Sequence, residues 1–453
     1  MMYRVNCPCG EVQGVKGRVP GSVAFKGIRY ATAGRWEYPQ PVTHWEGVYD
    51  ASQYGACSYQ PRAFYDEEQV PEKAFYYNEF RKGETYSYSE DCLFLNIWTP
   101  EEALQEGSKL PVLIYIHGGG FNGGCGHEKH FDGPVWTQQG VIGVTLNYRL
   151  GPLGFLCLPQ LEQEAGHSGN YGLYDQLCAI RWVKDNIAAF GGDPENITIM
   201  GQSAGGMSVQ QHCLSPLSDG LFQKAVLSSG GGVHKMMSAQ KPETKFAFWQ
   251  EVMSRCGCDS LEQFRQIPAE QLFRVWQQAK KEIKGGGMAV SPVLDGHFIV
   301  GSGVELLKEG KQKQIPYMLG STSEDIMPPI IYSMARDWCA AQPVNSYAWF
   351  FDRKLPGDDK GAWHSSDLWY WFGTLRNGWR PWKKKDGAIS EQMVSYLCNF
   401  VKKGDPNGEG LPLWQPAQEK KQVLRIGEGQ TRMGRASMLK LVKTLLTNKA
   451  VGE

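Results

Sequence analysis

A chain of 453 residues, 42% apolar and 21% charged, has the composition of a water-soluble globular protein and can bury a large core without staples. Lys plus Arg and Asp plus Glu number 47 each, so charge gives no reason to expect nucleic acid or an anionic membrane as partner. No stretch approaches ~18 consecutive apolar residues, and the opening Met1-Met2-Tyr3-Arg4 has no apolar signal region, so a cytoplasmic protein is expected. Twelve cysteines include two close pairs, Cys7/Cys9 and Cys256/Cys258, but neither has the spacing or the Cys/His companions of a zinc knuckle. Free thiols and no metal are the expectation.

In chain order, Leu110–Ile116 is a continuous apolar run ending in glycines, as in a buried strand, and Val141–Asn147 is a second. Tyr171–Phe190 carries Leu173, Leu177, Ile180, Val183 and Ile187 at helical spacing and stops at Gly191-Gly192. Ile197–Met200 reads as a short strand, followed by glycines and an amphipathic helix from about residue 207. Lys224–Ser228 and Tyr317–Gly320 are further strands. Residues 239–284 are helix-rich and less apolar, which predicts a helical cap. Many of the 15 Trp fall between Trp338 and Trp382, which predicts an aromatic lid over residues 330–382. Residues 437–446 predict a terminal helix. Strands alternating with helices predict an α/β fold, a large mixed, mostly parallel sheet covered on both faces, in a single domain over residues 1–453.

Two glycine motifs carry chemistry. Gly201-Gln202-Ser203-Ala204-Gly205 sits between a predicted strand and a predicted helix, the setting of a nucleophile elbow. Small residues two positions either side permit the sharp turn that exposes the serine hydroxyl ahead of a helix N-terminus. His117-Gly118-Gly119-Gly120-Phe121 also ends a buried strand. Its glycines let backbone N–H groups converge on one point, as acyl transfer requires for the developing oxyanion. Gly119 and Gly120, with Ala204 just after the serine, are the expected donors. Of the histidines that follow Ser203, His212 lies on the helix leaving the serine and His297 in a turn toward an edge strand. His364 is the best base by position. Glu324 and Asp325, just past a strand, are the candidate acids, and their chemistry alone does not separate them.

With these motifs, the chain resembles the type-B carboxylesterases, the family of cholinesterases and bacterial para-nitrobenzyl esterases. The likeness rests on Gly27-Ile28-Arg29-Tyr30-Ala31, Glu90-Asp91-Cys92-Leu93-Phe94-Leu95-Asn96, Asn147-Tyr148-Arg149 and Gly169-Asn170-Tyr171-Gly172-Leu173-Tyr174-Asp175-Gln176. Phe190-Gly191-Gly192-Asp193-Pro194 and Lys403-Gly404-Asp405-Pro406-Asn407 with Trp414 continue it. The resemblance implies an α/β-hydrolase fold and places the family's catalytic acid on Asp325. It implies an ion pair between Arg35 and Glu90, and it brings Cys57 and Cys92 to positions where some relatives form a disulfide. Gln202 replaces the glutamate common before the nucleophile, which argues against cationic substrates. The short spacing from Asp325 to His364 implies a trimmed, more open site.

The expected activity is hydrolysis of neutral, aromatic or bulky carboxylic esters through an acyl-enzyme on Ser203, with His364 and Asp325 and no cofactor. Phe121, Gln202, Trp363, Trp369, Tyr370 and Trp371 are the expected pocket residues. The expected partner is a small-molecule ester. Alternatives are a serine amidase or carbamate hydrolase with the same triad, and a non-catalytic interaction module.

Overall fold

The computed structural model describes residues 2–235, 238–420 and 422–447. It begins with an antiparallel run of β1 (Met2–Cys7), β2 (Gly10–Lys16) and β3 (Ser22–Arg29), with β4 (Val48–Asp50) alongside β2. β5 (Phe94–Pro100) pairs antiparallel with β3 and with β7 (Ile142–Leu146). From β7 the sheet is parallel: β6 (Leu110–Ile116), β8 (Gly192–Gln202), β9 (Lys224–Ser228), β10 (Tyr317–Thr322), β11 (Tyr347–Phe351) and β12 (Val423–Ile426) follow in that order. β13 (Arg432–Gly434) closes the edge antiparallel. The large mixed, mostly parallel α/β sheet is the fold the sequence pattern predicted.

The parallel strands are largely apolar at their centres because both faces are covered. On β6, Val112, Ile114 and Ile116 enter one core and Leu113 and Tyr115 the other, as the twofold repeat of a strand dictates. β6 and β9 keep their predicted bounds. β8 starts five residues earlier than the apolar run, because Leu110 of β6 pairs with Gly192 before a register shift. The helix Tyr171–Asn186 is extended by a single 3₁₀ turn, Ile187–Phe190, which ends at Gly191 in the left-handed conformation. β1 and β2 escape the apolar-run criterion because they alternate buried with exposed or half-buried residues. No strand holds His297. Its N–H and those of Phe298 and Ile299 all donate to Asp295 Oδ1, which winds the segment into a turn.

Many of the shared motif residues are ties between loops. Arg149 forks onto Asp175 at 2.7 and 2.8 Å with both side chains buried, and also donates to the carbonyls of Gly34 and Glu37. Asn96 accepts from the Gly27 N–H and donates to Thr145. Asn407 bridges to both backbone groups of Trp414. Arg35 pairs with Glu90 and donates to the Ile267 carbonyl, so it ties the N-terminal region to the helices Glu243–Arg255, Leu261–Gln266 and Ala269–Glu282, which occupy the predicted cap region.

The aromatic stretch 330–382 is not a lid. Trp338, Trp349, Trp363, Trp369 and Trp371 are fully buried. All but Trp338 belong to the core on one face of the sheet, where the short helix Leu368–Trp371 packs against the long helix Lys384–Lys403. Trp338, on the helix Pro328–Ala340, packs into the core on the opposite face.

Candidate active site

Ser203 sits between β8 and the helix Ala204–Leu214 with φ 56° and ψ −125°, a conformation that costs a non-glycine residue roughly 1–3 kcal/mol. The surroundings enforce it. Its N–H donates to the Ser228 carbonyl on β9 at 2.9 Å, and its carbonyl accepts from Met207 N–H at 2.9 Å. A Cβ on Gly201 would lie 2.2 Å from the Gly205 carbonyl oxygen, and one on Gly205 would lie 2.0 Å from that of Ile116. Both glycines of the motif are therefore steric requirements.

Asp325 follows β10 and is buried. Its carboxylate accepts from His364 Nδ1 at 2.6 Å, Ser229 Oγ at 2.6 Å, and the N–H groups of Thr322 and Ile326 at 3.2 and 2.9 Å. Burial raises the pKa of this acid, but the His364 ring and the donors outweigh it and hold the carboxyl below its ordinary range. Glu324 faces elsewhere: its side chain accepts from the Ala362 N–H and from Ser323. The structure thus pairs Asp325, and not Glu324, with His364. The outer nitrogen of His364, Nε2, faces Gln202 Nε2 at 3.1 Å. With Nδ1 protonated toward Asp325, Nε2 is the acceptor and the Gln202 amide the donor. Among the described residues no hydrogen bond joins Ser203 to His364, so the amide occupies the lone pair that a proton-accepting base would use.

The glycine loop flanks Ser203. Gly119 and Gly120 have φ 109° and 61°. The Gly119 carbonyl is taken by the N–H groups of Asn122 and Gly123, each at 3.0 Å. Gln60 clamps the far end, accepting from Gly124 N–H at 2.9 Å and donating to its carbonyl at 3.0 Å. Among the described residues, the N–H groups of Gly119, Gly120 and Ala204 donate to no protein acceptor.

Ser203, His364, Asp325, Gln202 and Gly118–Gly120 line one cavity of about 650 Å³. Five expected pocket residues do not line it. Trp363, Trp369, Tyr370 and Trp371 are buried in the core beneath, where Trp369 donates to Glu79 and Tyr370 to Asp386. Phe121 turns away to pack on Phe155 at 4.9 Å. Proximity to His364 in sequence misled here, because a turn and a short helix direct those rings inward. The walls come instead from Tyr65, Val70, Tyr76 and Phe80, from Leu368, and from Thr444 and Leu445 of the terminal helix. The cavity's two guanidiniums are matched, Arg62 with Glu128 and Arg81 with Glu67 and Glu128, while Glu324, Lys73 and Lys280 also line it. Of the other histidines, His117 and His130 also line the cavity, whereas His212, His234 and His297, which follow Ser203, do not. His212 is buried against Ser218 and Gln176, and burial lowers its pKa to about 3.

The sequence reading did not single out Asp367, three residues past His364. It is fully buried, and its Oδ2 accepts from Ser228 Oγ at 3.0 Å and Trp371 Nε1 at 3.1 Å. Among the described residues its Oδ1 has no partner. Burial, with the nearby charge of Asp325, raises its pKa to about 6.

A sequence profile of the Carboxylesterase family matches residues 2–345 and 331–443. The para-nitrobenzyl esterase of Bacillus subtilis (strain 168) is 37% identical over 319 residues, 69% of this chain and 61% of that protein. The fumonisin B1 esterase of Sphingopyxis macrogoltabida is 34% identical over 327 residues, 70% of this chain and 55% of that protein. The matches thus span less than two thirds of either relative. A solved PNB esterase structure superposes with a TM-score of 0.83 at 26% identity, covering 98% of this chain and 99% of that one. The chain belongs to the carboxylesterase family and has its α/β-hydrolase fold.

Asp367 yields a prediction. A carboxyl whose pKa is raised by folding stabilises the fold fully below its ordinary pKa of 3.8, and that stability is lost as pH rises to about 6. Asp367→Asn keeps an acceptor for Ser228 and Trp371 and removes the buried charge. It should be more stable than wild type above pH 6, by about 2–3 kcal/mol, and the gain should vanish near pH 4. Urea melts across this range check it, and a gain that is the same at every pH would contradict the assignment.

Proposed function

We propose that this protein is a serine carboxylesterase with Ser203 as nucleophile, His364 as general base and Asp325 as the acid that orients it. The observation that carries this reading is the Asp325–His364 hydrogen bond, which lies in the same cavity wall as a serine on a strained strand–helix turn. Asp325 holds the Nδ1–H tautomer and stabilises the imidazolium that forms. The Gln202 amide gives up Nε2 when substrate enters, and His364 then takes the Ser203 proton as Oγ attacks the ester carbonyl. The tetrahedral oxyanion rests on the free N–H groups of Gly119, Gly120 and Ala204, each typically worth about 2.7–4 kcal/mol. The imidazolium returns its proton to the leaving alcohol. Water, activated by the same base, then releases the acid. This chemistry is complete with the side chains present.

The substrates we propose are neutral esters with an aryl or otherwise bulky group. The apolar and aromatic wall of Tyr65, Val70, Tyr76, Phe80 and Leu368 supports this, as does the pairing of Arg62 and Arg81 with Glu67 and Glu128. In a panel of p-nitrophenyl esters, kcat/KM for the benzoate should exceed that for the acetate after correction for intrinsic reactivity. A flat profile, or faster cleavage of matched anilides than esters, would count against it.

Two further outcomes test the residues. A fluorophosphonate probe should label the wild type once per chain and leave Ser203→Ala unlabelled, whereas persistent labelling would remove Ser203 from its role. Gln202→Glu puts a carboxylate beside Nε2, which favours the protonated ring. The acid limb of kcat/KM should therefore move to higher pH, by about one unit. An unmoved limb would mean that the side chain leaves the ring in the working enzyme.

A further inference from the structure

Behind the glycine loop, away from the cavity, lies a second group of reactive side chains. Cys57, on a short strand paired with Tyr88–Ser89, meets Cys125 and His127 from the loop between β6 and β7. All three are buried, and the two sulfurs and one ring nitrogen lie within 4.8 Å of one another. Cys57 is not disulfide-bonded to Cys92; both are free thiols. Its Sγ stands 3.6 Å from His127 Nε2. Two ligands at Zn–S and Zn–N bond lengths in a tetrahedron are separated by ~3.5 Å. The pair is therefore already at the edge length of a metal coordination shell.

The backbone that carries the group is fixed. Gly126, between the two loop ligands, donates to Asn147 Oδ1 at 2.8 Å and accepts from Thr145 Oγ1 at 2.6 Å. Cys57 N–H donates to the Ser87 carbonyl at 2.9 Å. The His127 ring is stacked on Tyr54 at 4.5 Å, nearly parallel, and Tyr54 is itself anchored on Asp132. Arg62 Nη2 approaches Cys125 Sγ at 3.9 Å, but Glu128 balances this guanidinium at 2.7 Å. Two thiolates would cancel the charge of one divalent ion.

We propose that Cys57, Cys125 and His127 form a binding site for one thiophilic d¹⁰ cation, Zn²⁺ first among them, with water in the fourth position. Two sulfurs and an imidazole select such an ion over Mg²⁺ or Ca²⁺, which take oxygen ligands. Binding releases the thiol protons, so affinity falls as pH falls. The ion's role is structural. Cys125 adjoins Gly124, which Gln60 clamps, so the metal would staple the glycine loop to the segment that carries Cys57 and Gln60.

The test uses the reduced, chelator-stripped full chain. Titration with Co²⁺ should saturate at one ion per chain with a thiolate-to-cobalt charge-transfer band and tetrahedral d–d bands, and one equivalent of Zn²⁺ should abolish both. Cys57→Ser and Cys125→Ser should each lose the band, whereas Cys398→Ser, in the distant core, should keep it. Should the ligand variants fail to fold, the wild type still decides the matter. Excess Zn²⁺ should slow alkylation of Cys57 and Cys125, mapped by peptide mass, about tenfold or more without slowing that of Cys178. Absence of the band in the wild type, its persistence in both ligand variants, or unprotected Cys57 and Cys125 would overturn the proposal. So would a Cys57–Cys125 disulfide in protein isolated without reductant, which would make the pair a redox couple.

Discussion

The backbone at Ser203 is the constraint around which the rest is arranged. A left-handed φ at a serine persists only where the neighbours leave no alternative. Here β9 supplies the acceptor for its N–H, and the helix Ala204–Leu214 begins at the next residue. The carbonyls of Gly205 and Ile116 approach so closely that a methyl at position 201 or 205 would overlap backbone oxygen. The parallel order β6–β8–β9–β10 then brings three further chain segments to the same end of the sheet. β6 delivers the glycine loop, β9 leads into Ser229, and β10 leads into Asp325. A site assembled from strand ends inherits the rigidity of the sheet, which preorganised catalysis requires.

Two buried carboxyls near His364 show how environment divides identical chemistry. Asp325 has three hydrogen-bond donors besides the imidazole, and stays ionised. Asp367 has two donors on one oxygen and none on the other, and its pKa rises toward neutrality. Environments that push pKa values apart separate roles. The first carboxyl is suited to orient an imidazole, whereas the second gains its charge only as pH rises to about 6. Gln202 adds a neutral donor at the outer nitrogen, so the resting histidine is held in the tautomer that the reaction needs.

Much of this was legible in the sequence. A continuous apolar run located β6, and the shorter apolar centre of Lys224–Ser228 located β9, because strands covered on both faces leave few polar positions. The glycine motifs located the serine turn and the loop beside it, since no other residue fits those contacts. The family resemblance, not residue chemistry, separated Asp325 from Glu324, and the hydrogen bond to His364 agrees with it. What was not legible depends on direction in space. A tryptophan-rich segment states that large rings must be buried, but not on which side of a sheet. Trp363, Trp369, Tyr370 and Trp371 went to the core while Tyr76 and Phe80, from a segment far upstream, took the cavity wall. Cys57, Cys125 and His127 likewise share no motif, because their meeting is made by tertiary packing alone.

The claim on which the account turns is that an acyl group passes through Ser203. Rapid acid quench of the enzyme during turnover of a p-nitrophenyl ester, followed by peptide mass analysis, measures this directly. The account predicts a burst of nitrophenol stoichiometric with enzyme and an acyl group on the peptide that contains Ser203. Turnover with no acylated peptide, or an acyl group on another residue, would contradict it.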